Sequence, residues 1–436
     1  MPSRFQVAVL SGTTLTTQMS NVAQTTVLGL LIYRLTGSEL DLGFLGLAEF
    51  APAALLVLVA GAAADRFDRR RVTALSALAN AVVALALAWY VHRPHLATGP
   101  IFLLVIAFGV GQAFLAPALR SIPSAMVGSD GLPWLTARRS VASQVGTIVG
   151  PVLAGLLYGA GVWVPLVAVA GLSAACALLV LGIRLLDPAL GQSRASAAGA
   201  GSTEEVGHVL EEGLPIAKGG LHEAMEGLRF VRTNPVLLGA ISLDMFAVLL
   251  GGAITLLPAI AVRLDVGAVG LGWLRAAAGL GAGLMTLIIS IRPLQRRVGR
   301  VLLGAVAIFG GWTIVLGFTH SYALAFISIF ALSAADAVSM FIRSTLVPLA
   351  TPPQMRGRVL AVENVFIGAS NELGGFESGA LGQLLGTTGS VVLGGIGTLV
   401  VALSWGIIFA PLRQIDRFPT VGPWASPGER VIEKGE

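Results

Sequence analysis

Residues Gly61–Val91 read GAAADRFDRRRVTALSALANAVVALALAWYV, six charges in eleven residues followed by twenty residues without one. A charge-free apolar run of about 20 residues is the length that crosses the hydrocarbon core of a bilayer as a helix. Trp163–Ile183 and Val391–Ala410 repeat the pattern. Over its 436 residues the chain is 55% hydrophobic and 12% charged, with a mean hydropathy of +0.84. A soluble core cannot hide that much apolar surface, so lipid is the expected solvent.

Working outward from this segment, spans are expected at Val7–Tyr33, Leu42–Ala64, Val72–Val91, Pro100–Met126, Trp134–Gly159 and Val162–Ile183. A second set follows at Pro235–Val262, Gly267–Ile291, Val301–Phe318, Tyr322–Leu349, Val359–Leu385 and Ser390–Leu412. The expected fold is all-α and integral to the membrane, with twelve transmembrane helices in two six-helix bundles, 1–183 and 235–412. Between them, 184–234 reads as a cytoplasmic linker ending in a short amphipathic helix, because Leu221, Met225, Leu228, Phe230 and Val231 recur at near-helical spacing. Residues 413–436 form a cytoplasmic tail. The first apolar stretch is too long, and too polar in its middle, for a cleavable signal peptide, and is kept as helix one.

Basic residues set the orientation. With a cytoplasmic N-terminus the external loops hold only Arg34, Arg93 and Arg263, while nearly all other basic residues outside the spans fall inside. Both termini are therefore expected in the cytoplasm, and the net charge of +5 reflects this bias rather than a nucleic-acid partner. Cys176 is the only cysteine, which rules out an intrachain disulfide or a thiolate metal cluster. His92, His95, His208, His222 and His320 form neither a metal triad nor a catalytic dyad with an evident carboxylate partner. No cofactor or enzymatic activity is expected, and no phosphate-binding Gly-x-x-x-x-Gly-Lys-Ser/Thr loop occurs to drive a primary pump.

The halves read as copies. Arg120-Ser121 recurs as Arg343-Ser344, Arg138 and Arg139 recur as Arg356 and Arg358, and Gly150–Leu156 recurs loosely as Gly374–Leu381. Duplicated six-helix units are a common transporter architecture, with the substrate cavity between the halves and alternating access by rocking.

The loop Gly61 to Arg71 resembles the signature loop of the major facilitator superfamily: a glycine, then aspartate-arginine, then a basic pair. The resemblance implies that Asp65 latches one transport state, with Gly61, Arg66, Arg69 and Arg70 around it; an ordinary positive-inside loop is the plainer alternative. Asp68 stands where the general superfamily has glycine. The variant resembles the branch of transmembrane secretion effectors that includes enterobactin exporters and macrolide efflux pumps. Leu35-Thr-Gly-Ser38, Ala116-Pro-Ala-Leu-Arg120, Glu226–Arg232 and Met355–Val359 carry the same resemblance. The matching loop of the second half, RPLQRRVGRV at Arg292–Val301, keeps its basic residues and lacks the aspartate.

Helix five carries Gly146, Gly150, Pro151 and Gly155 on a small-residue face, with Ala154 among them. It resembles the antiporter motif of the superfamily's exporters, and generic helix packing is the alternative. Ionisable residues inside spans are costly and default to a functional hypothesis. Glu49, Asp244, Asp336 and Glu372 are candidate proton carriers, with Glu363 and Glu377 on the same helix as Glu372; a structural ion pair with Arg275 or Arg343 is the competing explanation for each. Gln18 and Asn21, on the polar face of helix one, join Arg120, Arg275 and Arg343 as candidate cavity-lining residues. Trp134, Trp273, Trp312 and Phe246 are available to stack on an aromatic cargo. The expectation is a secondary active transporter of the inner membrane, a proton-coupled antiporter exporting a small amphiphilic molecule such as a siderophore or drug. An importer or lipid translocator on the same scaffold is the alternative, and the resemblance implies a monomer.

Overall fold

The computed structural model describes residues 3–127, 131–184 and 216–419, with the side chains of 58, 65 and 216–224 outside the description. Everything regular among these residues is helical: α1 (Arg4–Thr36), α2 (Glu39–Arg66), α3 (Arg69–Tyr90), α4 (Thr98–Met126), α5 (Leu132–Tyr158) and α6 (Trp163–Leu181). Then come α7 (Ile216–Thr233), α8 (Pro235–Leu250), a 3-10 turn (Ala253–Leu256), α9 (Leu257–Arg263), α10 (Gly267–Ile291), α11 (Val298–Phe318), α12 (Tyr322–Leu349), α13 (Arg356–Ile408) and α14 (Ala410–Arg413). Helices satisfy every interior backbone group within one segment, which hydrocarbon demands.

The helix starts follow from side-chain capping. Ser38 Oγ accepts from Asp41 N at 3.2 Å, and Asn234 Oδ1 accepts from Val236 N at 3.0 Å with Pro235 opening the helix. Each supplies an oxygen to an amide that has no intrahelical partner.

Among the described residues ten helical stretches are long and apolar enough to cross a membrane. One of them, α13, is two helices joined at Gly386, whose φ of 76° lies in the left-handed region that only glycine enters freely. The 33-residue α1 falls outside the ten because its threonines, glutamines and asparagine dilute its apolarity. The count is consistent with twelve crossings. The expected span Pro235–Val262 is interrupted at Gly251 and Gly252, between α8 and the 3-10 turn.

Contacts gather the chain into two compact units. The first comprises Met1–Leu214 and Asp265–Ala276, and the second Pro215–Leu264 and Ala277–Glu436. In the first, α1 packs on α5 and α6, α2 on α4, and α3 on α4 and α6. Leu10, Leu119, Ile122, Leu135 and Val180 belong to its buried apolar core. In the second, α13 packs on α8 and α11, and α11 on α12, around Leu243, Leu302, Ile342 and Leu346.

The repeated glycines do the same work in each unit. A Cβ on Gly150 of α5 would lie 2.9 Å from the Met19 carbonyl of α1. Its counterpart on Gly374 of α13 would lie 2.6 Å from the Val248 carbonyl of α8. Both separations are too short for any side chain, so glycine sets how closely these backbones approach.

Helix α7 extends further in both directions than its apolar spacing indicated. Gly227 lies against the backbone of Arg358, and Glu226 pairs with the Arg358 guanidinium at 2.5 Å. Val231 is buried against Leu237, Val347 and Val359, whereas Met225 is 62% exposed and takes no part in that cluster.

Candidate functional site

The signature-like loop is built by two helix ends. Gly61, Asp65 and Arg66 occupy the last turns of α2, and Arg69 and Arg70 open α3. Asp68 caps α3: its Oδ1 accepts from Arg70 N at 2.9 Å, and its Oδ2 meets Arg70 Nη2 at 2.8 Å. The Arg70 guanidinium beside Asp68 holds that carboxyl below the usual carboxylate range. Arg70 Nη1 also donates to Ile183 O at 3.0 Å, and Arg69 Nη1 to Ser121 O at 3.2 Å. Both arginines thereby tie the loop to backbone carbonyls of the same unit. Arg66 is exposed, a Cβ on Gly61 would meet open space, and the Asp65 side chain lies outside the described residues. Asp68, the departure from the general pattern, is the residue that organises the loop. An aspartate immediately before a helix was the signal for it.

On α5, Gly146, Gly150, Pro151, Ala154 and Gly155 are all buried. Gly146 faces Gln18, Gly150 faces Met19, Gly155 faces the Ala268 carbonyl, and the Pro151 carbonyl faces Gly272. The expected small-residue face is thus a contact surface for α1 and for the beginning of α10, all within the first unit.

The polar face of α1 largely satisfies itself. Thr13, Thr14, Thr16, Thr17, Thr25 and Thr26 donate to carbonyls one turn back. Gln18 donates to Thr147 of α5 at 3.1 Å, and Asn21 accepts from Gln112 of α4. Both candidate lining residues therefore join helices, and both remain half-buried.

The intramembrane charges fall into two groups. In the first unit Glu49 lies close to Thr25, at 3.5 Å, and interacts electrostatically with Arg275, whose Nε is buried without a hydrogen-bond partner. Gly109 of α4 faces the Glu49 carbonyl, bringing α4 close to α2 at this point. In the second unit Arg343 is the hub. Its Nη2 reaches Asp244 Oδ1 at 2.6 Å and its Nη1 lies 3.9 Å from Glu363 Oε1. Asp336, about two turns before Arg343 on the same face of α12, interacts with it electrostatically.

Asp244 and Asp336 line one small cavity between α8, α11 and α12, together with Ser339 and Phe309. Glu372 is half-buried on α13 and does not line it. The sequence copies Arg120 and Arg343 differ in setting: Arg343 is 4% exposed, whereas Arg120 is exposed and lies near Arg139. Larger clefts open at the surface, one of about 540 Å³ beside Trp89, Arg93 and Trp163 and one of about 480 Å³ beside Arg4, Trp134 and Arg138. Phe246, offered for stacking on cargo, already packs on Trp405 at 5.4 Å between ring centroids. Among the described residues no three His, Cys, Asp or Glu side chains converge on a metal position.

The family model of the Major Facilitator Superfamily matches residues 10–300. Enterobactin exporter EntS of Citrobacter koseri is 25% identical over 376 residues, 84% of this chain and 82% of that protein. Its Shigella flexneri counterpart is 23% identical over 367 residues, 83% of this chain and 82% of that protein. Among solved structures, the nucleoside transporter NupG superposes with a TM-score of 0.67 at 15% identity, covering 95% of this chain and 100% of that one. The D-xylose-proton symporter does so with a TM-score of 0.65 at 15% identity, covering 94% and 98%. A bacterial homologue of the human lysosomal transporter Spinster gives 0.65 at 15% identity, covering 95% and 97%. At these identities the structures speak for the fold. The chain belongs to the Major Facilitator Superfamily and is a multi-pass membrane transporter, not an enzyme.

Proposed function

We propose that this transporter is a proton-coupled exporter of a small amphiphilic molecule, an antiporter working by alternating access in the cell inner membrane, with both termini cytoplasmic and the monomer as the working unit. The observation that carries the coupling is the charge balance around Arg343. One guanidinium stands among Asp244, Glu363 and Asp336 in a poorly solvated interior. One positive charge cannot neutralise three carboxylates, and an unmatched ion in such a place costs several kcal/mol. Taking up a proton relieves that imbalance, and giving it up restores it. This is the property an antiporter needs at the site its cargo competes for. Glu49, with Arg275 as its electrostatic counterpart of opposite sign, is the second candidate carrier, and Glu372 the third.

Export of a siderophore-like cargo draws its support from the enterobactin exporters that share about a quarter of their residues with this chain. In this reading Asp65 acts as the latch of the α2–α3 loop, and the packed glycine face of α5 serves the antiporter scaffold. Everted membrane vesicles test it. A labelled catecholate siderophore or macrolide should accumulate when the proton gradient is imposed and stop when a protonophore collapses it. Accumulation that ignores the protonophore removes proton coupling, and accumulation only in right-side-out vesicles reverses the direction to import.

A further inference from the structure

We propose that the cavity between α8, α11 and α12 is a seat for one small monovalent cation, sodium in particular, held by the carboxylates of Asp244 and Asp336 and the hydroxyl of Ser339. The inference goes beyond proton coupling and does not depend on cargo or direction.

Three observations carry it. Asp244, Asp336 and Ser339 line the same cavity, so two carboxylates from different helices and one hydroxyl converge on a shared space. Ser339 is 3% exposed and its Oγ has no hydrogen-bond partner. Ser328 on the same helix, by contrast, donates to the Leu324 carbonyl at 2.7 Å. Burying a hydroxyl without a partner is unfavourable, so the position of Ser339 on the cavity wall points to an occupant that it contacts. Finally, the carboxylates around Arg343 exceed its single charge, which gives the cavity a negative field.

Size and donor set narrow the occupant. The cavity has about 10 Å³ open to the centre of a water-sized sphere, which is the space of about one water molecule. Magnesium keeps several of its waters in near-octahedral geometry and calcium takes about six to eight oxygens, so neither fits a one-water space with three side-chain donors. Soft or nitrogen-seeking transition metals lack thiolate and imidazole here. A bare sodium ion is smaller than a water molecule, so it enters a one-water space with room for oxygen donors to close on it, and it favours hard oxygen ligands. Potassium is about as large as the water molecule itself, and carboxylate oxygens hold it less tightly than the smaller sodium ion. Ala305, Val306 and Phe309 of α11 complete the lining with apolar side chains.

The test is equilibrium binding of radioactive sodium to the purified full-length protein in lipid nanodiscs, at fixed pH and without cargo. The expected result is saturable binding of about one sodium per chain, displaced by unlabelled sodium or lithium and not by equal potassium. Asp336→Asn should abolish it, and Ser339→Ala, which removes only the hydroxyl, should weaken it about tenfold or more. Ser290→Ala, at an exposed hydroxyl on α10, should leave it unchanged. No saturable sodium binding in the wild type, as a cavity filled by water alone would give, overturns the proposal. So does saturable binding that Asp336→Asn and Ser339→Ala both leave intact. Failure here leaves the proton-coupled export reading standing, because that rests on proton flux driven by cargo.

Discussion

The Arg343 guanidinium and the Asp244 carboxylate meet at 2.6 Å with only 5% and 6% of their side chains exposed. The pair joins α12 to α8 in the interior of the second unit. Glu363 on α13 approaches the same guanidinium at 3.9 Å, so three spanning helices converge on one cation.

Removing the cation should cost most. Arg343→Leu leaves Asp244 and Glu363 without their counter-charge, and breaking a buried pair from one side typically costs about 3–5 kcal/mol. Its melting temperature in detergent should drop markedly by scanning fluorimetry. Adding Asp244→Leu to Arg343→Leu should recover part of the loss, because the stranded charge goes with it. A double variant less stable than Arg343→Leu alone would show that the pair is not the unit that matters.

The α2–α3 loop predicts a pH signature. Asp68 is held below the usual carboxylate range by Arg70, so its folded-state pKa lies under its unfolded one. Its stabilising contribution is therefore present above the unfolded pKa of about 3.9 and lost as pH falls through the folded value. Asp68→Ala, which also removes the helix cap, should lower stability by about 1 kcal/mol near neutral pH. The gap between wild type and variant should stay level from pH 8 to pH 5 and close only in acid below that. Melting curves at stepped pH measure it, and a gap that closes near pH 6 would assign the effect to another group.

Glycines in this chain differ sharply in what they tolerate. Gly150→Val forces a side chain against Met19, where even a Cβ sits 2.9 Å from the carbonyl, and should cost about 1–3 kcal/mol or push α5 away from α1. Gly61→Ala meets open space and should stay within about 0.5 kcal/mol of wild type. If Gly61→Ala keeps its stability and still loses transport, the loop's glycine serves motion rather than packing.

Arg263 closes a helix end. It donates to the carbonyls of Gly317 at 3.1 Å, Leu316 at 3.4 Å and Thr319 at 3.3 Å, and to Thr388 Oγ1 at 2.5 Å. Only a fork of fixed donors can serve the last turn of α11 and α13 together, so Arg263→Lys should lose most of what Arg263→Ala loses, about 2 kcal/mol by thermal melting. Full stability in the lysine variant would reduce the role of Arg263 to its charge.

The spans were legible because long charge-free runs have no other use, and the family was legible because the α2–α3 loop places charges where topology alone does not need them. Pairings were not. Asp244, Asp336, Glu363 and Arg343 could each be picked out as costly inside a span, but nothing in their spacing says that three helices bring them around one guanidinium. Ser339 gave no signal, since serine is ordinary in packed membrane helices and its missing partner is a three-dimensional fact. The repeat misled in one place: Arg120 and Arg343 occupy matching positions in the copied sequence, yet one is exposed and the other buried. The break at Gly251 and Gly252 was hidden within an apolar run whose composition suits a continuous helix.

The most direct measurement of the central claim is proton movement in proteoliposomes holding the purified protein and a pH-sensitive dye, with catecholate siderophores and macrolides added in turn. Wild type should move protons when cargo is supplied, and Asp244→Asn or Glu49→Gln should abolish the signal while cargo binding persists. Cargo crossing the membrane with no proton movement in the wild type would contradict the account.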